Sequence, residues 1–388
     1  GAMMTKKTLL FNGTLYTRDG THREGWLLVD GSRIAALGEG EPPEIEARRL
    51  DLGGQRLIPG LIDIHVHGAM GHDTMDATPQ ALEEMARFYA RHGVTGFLAT
   101  TVAASEKAIM AALENIARVM RQGTGGARIL GAHVEGPYLN VERRGAQHAE
   151  EVRLAQPQEY RRFFATGVVR LITLAPEYPE NQELLRFAVT HGAAVAIGHT
   201  KASYEIIRQA VALGATQVTH LFNGMEPMHH RNPGVVGAAL TLDALYCQLI
   251  ADNIHIQPPV LKLAVRAKGP ERIILITDAM RGTGMPDGDY TLGEEKVTVR
   301  QGIARTETGA LAGSTLTLER ALANIMAATE LSFAEALPMA TRIPAQTLGL
   351  ERHKGSLAVG MDADLAVIDD NFQVSLTMVE GEIVYQKG

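Results

Sequence analysis

A chain of 388 residues with 45% hydrophobic and 21% charged residues is long enough for one large catalytic domain and a smaller one, and too apolar to be disordered. Its net charge of −7 at pH 7 argues against broad binding of nucleic acid or of an anionic membrane, while leaving room for a local cluster of positive groups. The single cysteine, Cys247, excludes an intrachain disulfide and fits a reducing, cytoplasmic setting. No apolar run reaches the roughly 18 residues needed to span a membrane. Gly1-Ala2-Met3 ahead of Met4 reads as a cleavage scar with no secretory pattern after it.

In chain order, TLLFNGTLYT, GWLLVDGSRIAALG and RRLDLGGQRLIP read as short strands broken by turns. Eight apolar, β-branched runs follow, at 61–67, 94–101, 129–135, 168–174, 194–199, 217–220, 246–251 and 272–278. Most of the gaps carry helical periodicity. PQALEEMARFYARHG follows Thr78-Pro79 as a helix start, and both it and KASYEIIRQAVALG end on a glycine, Gly93 and Gly214. Strand and helix alternating eight times predicts an α/β fold, a (β/α)8 TIM-like barrel, with its site at the C-terminal ends of the strands. An open doubly wound sheet is the alternative, but it would not bring the ends of strands one, three and eight to one point. Beyond residue 354 the chain returns to short alternating strands. Neither terminal piece has enough strand to bury a face alone, so the two are expected to pair as a small β-sandwich. The expected division is 1–58 and 355–388 for the two parts of the sandwich, and 59–354 for the catalytic barrel.

Six potential metal ligands close these runs. His65-Val66-His67 places two imidazoles on one face of the first strand, which in a barrel is the lumen. Glu135 closes ILGAHVE just before Gly136-Pro137, and a carboxylate ending an apolar strand is costly to desolvate without a cation. His199 and His220 close the fifth and sixth runs, one helix and one strand apart, and so are expected side by side at the rim. Asp278 closes ILITD beside strand one and is the candidate general base and acid. His133 reads as a lumen neighbour rather than a ligand. His148, His229, His230 and His255 fall in loops after strands three, six and seven, within reach of a substrate. Arg231 shares the loop after strand six with Asn223, where a guanidinium suits a phosphate or carboxylate. Imidazole and carboxylate ligands suit zinc, iron, manganese or cobalt alike, with zinc the leading expectation.

The segments PGLIDIHVHG, HVEGPYLN, GHT, THLFNGM, ITDA and LAGSTLTLE, with the closing GxxxxGxxADLxxxD pattern from Gly355 to Asp369, resemble the amidohydrolase superfamily. Within it they resemble the N-acetylglucosamine-6-phosphate deacetylases, from Leu57 to the end. The resemblance implies a metal-dependent enzyme that removes acetate from N-acetylglucosamine 6-phosphate, leaving glucosamine 6-phosphate. It implies Glu135, His199 and His220 as metal ligands and Asp278 as the catalytic carboxylate. Members that keep HxH on strand one hold a second metal there, bridged by the glutamate. Because His65 and His67 are both present, two divalent metals per chain are expected rather than one. Substrate contacts carried over are Asn223, Gly224, Arg231 and His255, with Gln147 a further candidate contact and the backbone near Leu311 to Ser314 closing over the substrate. The resemblance also implies a homodimer or homotetramer in which Arg231 reaches the neighbouring site.

This chain departs from the pattern at two places. Gln147 follows Gly145-Ala146 where many relatives have histidine, with His148 one residue later, and Asn253 replaces the glycine usual before the histidine that matches His255. Both bear on the sugar more than on the chemistry. The closest rival reaction is the same deacetylation of the galactosamine epimer. Wider rivals are hydrolysis of a cyclic amide, a deaminase, and a barrel that serves only as a scaffold.

Overall fold

The computed structural model describes residues 6–388, so the reading of Gly1-Ala2-Met3 lies outside the described residues. All eight expected runs form parallel strands of one sheet: Leu61–Val66, Val94–Thr101, Arg128–Glu135, Val169–Leu174, Ala194–Ile197, Gln217–Val218, Tyr246–Ile250 and Ile273–Ile276. They are numbered one to eight below. Their residues are buried almost throughout, because one side packs into the lumen and the other against helices, the condition that favours continuous apolar strands over alternating ones. A helix follows each strand, from Pro79–Arg91 after strand one to Leu318–Thr329 after strand eight. Thr78 accepts a hydrogen bond from the Ala81 N–H at 3.2 Å to start the first of these. Leu82, Met85 and Ala86 bury its inner face, and Gly93 at φ 83° ends the turn beyond it.

The ladder runs from strand eight through seven to two and one, leaving strands eight and one unpaired by a ladder among the described residues. Single bonds close that seam. The Asp278 N–H donates to His65 O at 2.9 Å, and the His67 and Gly68 N–H groups donate to Ala279 O at 2.9 and 3.0 Å. Buried Asp63 completes the closure, accepting from the Thr277 hydroxyl at 2.6 Å and from the His65 N–H at 3.2 Å. Barrel closure and site placement therefore use the same residues.

The two chain ends combine as expected. Hydrogen bonding links their strands into one path, in the order Glu382–Gln386, Val374–Val379, Leu365–Ile368, Arg56–Pro59, Lys7–Thr17, Gly20–Asp30 and Arg33–Glu39, with Arg48–Asp51 also on Lys7–Thr17. The ends meet where Leu365 pairs with Pro59 and Val367 with Leu57. Leu10, Leu27, Leu57, Leu365 and Met378 belong to a core separate from the barrel's. A three-stranded antiparallel sheet, Gly288–Leu292, Glu295–Arg300 and Ile303–Thr306, was not anticipated. It is inserted between strand eight and its helix and packs Leu292, Val297 and Val299 onto Val102 and Met280.

Burial pushes the Asp63 carboxyl up from 3.8 to about 6, against the pull of its bonds to Thr277 and His65. An acid whose pKa rises on folding stabilises the fold when protonated. That contribution is complete below about 4 and is lost as pH climbs through about 6. Asp63→Asn removes this titration, so chelator-stripped wild type should lose roughly 3 kcal/mol relative to the variant between pH 4 and 7. Urea midpoints across that range test it, and a difference independent of pH would show that Asp63 does not change its protonation on folding.

Candidate metal centre and active site

Three backbone turns aim the site. Immediately past strands five, six and eight the chain enters the left-handed region, at His199 (φ 47°), His220 (φ 27°) and Asp278 (φ 52°). A non-glycine residue pays about 1–3 kcal/mol for such a conformation, and here each turn swings a side chain over the end of the lumen. Gly224 (φ 68°) serves the same arrangement from outside, since a Cβ there would lie 2.8 Å from His199 Nδ1.

All six strand-end residues converge. Glu135 Oε2 lies 3.3 Å from His65 Nε2, 3.2 Å from His199 Nε2 and 3.2 Å from His220 Nε2, while its Oε1 lies 3.0 Å from His67 Nε2. Asp278 Oδ1 lies 3.2 Å from His65 Nε2 and 3.1 Å from His67 Nε2. Two groups of potential ligands result, His65–His67–Glu135–Asp278 and Glu135–His199–His220, sharing the glutamate. All are buried.

The donor set fits divalent metal. Three histidines are tied outward through Nδ1: His65 to Gln248 Oε1 at 3.0 Å, His199 to Arg143 O at 2.8 Å and His220 to Asn223 O at 2.9 Å. Each therefore turns Nε2 inward, the outer-partner pattern of metal-ligating imidazoles. His65 Nε2 is buried with no hydrogen bond. His199 Nε2 and His220 Nε2 face one another at 3.2 Å, which two lone pairs tolerate only with a cation or proton between them. Electrostatics agree. Burial opposes charge on His65 and His67, yet the adjacent carboxylates of Glu135 and Asp278 hold His65 well above its ordinary pKa and push His67 up to about 9. Burial would raise both acids, but His65 foremost keeps Asp278 and Glu135 far below the usual carboxylate range. Two carboxylates this buried demand positive charge, and protons on histidine supply it where metal would.

His133 sits beneath the centre, as the lumen neighbour it was expected to be. Its ring bridges Thr100 and Thr173 at 3.2 and 2.7 Å and meets His65 edge to face. Burial, then the nearness of His65, holds it well below the ordinary imidazole pKa.

The cavity above is lined by His67, Glu135, Gln147, His199, His220 and Asp278 below, and by Asn223, Gly224, His255, Leu292, Leu311 and Gly313 around the rim. His255 is fixed by Asp252 at 2.7 Å through Nδ1. Two of the carried-over contacts, Ser314 and Arg231, do not line this chain's cavity, and of these Arg231 was expected at a neighbouring subunit's site. Ser314 is buried away from the cavity: its hydroxyl donates to Thr277 O at 2.5 Å and its N–H to Asp278 O at 2.8 Å, so it steadies the Asp278 turn instead. Arg231 is exposed, bonded to His230 Nε2 at 2.8 Å, and does not line this chain's cavity.

Both departures keep the geometry. Asn253 adopts φ 62°, a conformation that asparagine accepts more readily than most non-glycine residues. Gln147 donates to Glu135 Oε1 at 3.1 Å and accepts from the Ala103 N–H at 2.7 Å, so it holds the shared carboxylate. Reading strand ends missed the supporting residues: Gln248, Gln217, Asp63 and Asp252. The polar Gln248 inside YCQLI was a legible signal, because a glutamine in an apolar strand has to face a lumen partner.

A family model described as the Amidohydrolase family matches residues 56–384. The chain is 42% identical over 359 residues to an N-acetylglucosamine-6-phosphate deacetylase of Vibrio furnissii, covering 92% of this chain and 90% of that protein. It is 38% identical over 368 residues to an N-acetylgalactosamine-6-phosphate deacetylase of Escherichia coli O157:H7, covering 93% and 96%. A solved structure of a mutant N-acetyl-D-glucosamine-6-phosphate deacetylase from Mycobacterium smegmatis, in complex with N-acetyl-D-glucosamine-6-phosphate, matches with a TM-score of 0.93 at 34% identity, over 98% of this chain and 100% of that one. With the barrel, the shared glutamate and these similarities together, the chain belongs to the Amidohydrolase family, within its N-acetylglucosamine-6-phosphate deacetylases.

Proposed function

We propose that this chain hydrolyses the acetamide of N-acetylglucosamine 6-phosphate to glucosamine 6-phosphate and acetate. The observation that carries the reading is the meeting of Asp278 with two ligand groups that share Glu135, at the floor of a cavity rimmed by Asn223 and His255. The metal ligands are assigned as Glu135, His199 and His220 for one ion and His65, His67 and Glu135 for a second, with zinc the ion that best suits them. Divalent metal, when bound, supplies Lewis acidity to the amide carbonyl and lowers the pKa of the attacking water.

The remaining steps belong to side chains. Asp278 stays ionised at neutral pH, since its neighbours hold its pKa far below the usual range, and it takes the proton of the attacking water on its carboxylate. When the tetrahedral intermediate collapses, the same carboxyl returns that proton to the amine nitrogen, and the bond from nitrogen to the acetyl carbon breaks. His255, its Nδ1 committed to Asp252, offers Nε2 to the substrate. Asn223 and Gly224 hold the sugar from the same side. Leu292 and Leu311, from the inserted sheet and the turn after it, exclude water from the reacting face.

No lysine or arginine lines the cavity among the described residues, so neither side chain of this chain is placed there to meet a 6-phosphate. Arg231, exposed and without a carboxylate partner among the described residues, is assigned to the phosphate of a neighbouring subunit's substrate in a homodimer or homotetramer. A cytoplasmic location is proposed with this metabolic role; no helix among the described residues is long and apolar enough to cross a membrane.

Acetate release from a panel of N-acetylglucosamine and N-acetylgalactosamine, each with and without 6-phosphate, tests the reaction. Selectivity for the galacto epimer would replace the proposed substrate. Asp278→Asn should keep its metal while kcat falls by roughly 10²–10⁴, the usual share of a general acid/base. Near-normal kcat would remove Asp278 from proton transfer, and loss of metal would make it chiefly a ligand. Arg231→Ala should raise KM for the phosphorylated sugar by tens of fold or more, about 2–3 kcal/mol for a charge-assisted pair, and leave the unphosphorylated sugar nearly unchanged. Mixing it with His199→Ala should restore activity in mixed oligomers. If mixing restores nothing, Arg231 serves its own subunit or none.

A further inference from the structure

Two glutamines lie inside barrel strands where apolar residues would be expected. Gln217 on strand six and Gln248 on strand seven are both fully buried, and neither lines the substrate cavity. Gln248 Oε1 lies 3.0 Å from His65 Nδ1 and accepts a longer bond, 3.4 Å, from the backbone N–H of His220. Its Nε2 donates to Gln217 Oε1 at 3.1 Å. One amide thus joins strand one, strand six and strand seven directly under the metal centre.

The two ends of an amide are not interchangeable, since oxygen only accepts and NH2 only donates. Turning Gln248 over would set its NH2 against the His220 N–H, donor against donor, and would break the bond to Gln217 Oε1. Oxygen therefore faces His65 and requires a hydrogen on Nδ1. With Nδ1 so protonated, Nε2 is the atom that holds a proton in the metal-free site and offers its lone pair to a metal that displaces that proton; it is aimed at the space beside Glu135 Oε2 and Asp278 Oδ1. His67 has no such support, because its Nδ1 is buried without a partner. The His65–His67 group therefore rests on Gln248 far more than the Glu135–His199–His220 group does, whose outward bonds go to main-chain carbonyls.

We propose that Gln248 is a positioning residue that keeps hydrogen on His65 Nδ1 and so makes the His65–His67 group competent for a second divalent metal. The proposal rests on the two-metal reading above. Its test is zinc stoichiometry by mass spectrometry across a series of chelator-buffered free zinc concentrations, with thermal unfolding as a folding check. Gln248→Leu removes the acceptor while keeping the bulk. It should weaken the second zinc about 10–100-fold, the usual effect of losing an outer-shell partner, and leave the first in place. Gln248→Glu keeps an acceptor at the same reach and should restore binding of the second zinc. A Leu variant that takes up both ions with wild-type affinity overturns the proposal, as does a Glu variant no better than Leu. Wild type that holds one zinc at saturation overturns the two-metal reading itself, a separate outcome. If the Leu variant fails to fold, 15N spectra of zinc-loaded wild type decide the matter. A protonated Nδ1 and a zinc-ligated Nε2 on His65 support the assignment, and ligation through Nδ1 defeats it.

Discussion

Glu135 is the group on which the rest depends. Its carboxylate is 2% exposed and within 3.3 Å of four imidazole nitrogens. A carboxylate taken that far from water is costly unless positive charge and hydrogen bonds replace its hydration. With Asp278 a second carboxylate shares the same dry volume, so the centre has a demand for cations that protons on His65 and His67 meet only by raising both of their pKa values. A site in that electrostatic state suits a dication that can displace those protons, so metal binding there would be coupled to proton release.

The scaffold exists to hold that charge cluster, and it does so by bending backbone rather than by using flexible side chains. The left-handed turns at His199, His220 and Asp278 are strained, and the surrounding bonds over-determine them. Asp278 is gripped by its own N–H to His65 O and by its carbonyl from the Ser314 N–H, while Ser314 is in turn tied to Thr277. The barrel seam and the proposed proton carrier share these bonds. A substitution that loosens the seam, at Asp63 or Ser314, would therefore disturb the Asp278 turn as well as stability.

The fold and the candidate ligands were legible in the sequence for one physical reason. A parallel strand in such a barrel is mostly apolar, so an ionisable residue that closes the run marks the mouth, as His199, His220 and Asp278 do. The supporting groups were not legible by that rule. Gln248 and Asp63 lie within their strands, and their roles depend on which strand comes alongside, a tertiary fact that one strand's pattern does not carry. The inserted sheet was missed for another reason. Its strands alternate in KVTVR and GIART, but they lie between residue 278 and the returning strands after 354, where no strand was expected. Ser314 shows the limit of carrying a role by position: the segment reaches the cavity through Leu311 and Gly313, whereas its serine turns inward.

The two departures from the family pattern are each accommodated by local geometry. At residue 253 the backbone demands positive φ, and asparagine meets the demand without glycine's entropy cost. At residue 147 an imidazole is replaced by an amide whose NH2 faces Glu135 and whose oxygen accepts from the Ala103 main chain. An amide stays neutral at every pH where the enzyme works, so it adds no proton to a centre already crowded with them. His148, displaced one residue outward, instead bonds Glu295 of the inserted sheet at 2.6 Å. The strand-three loop thus presents a neutral donor to the metal centre and a titratable ring to the sheet that covers the cavity.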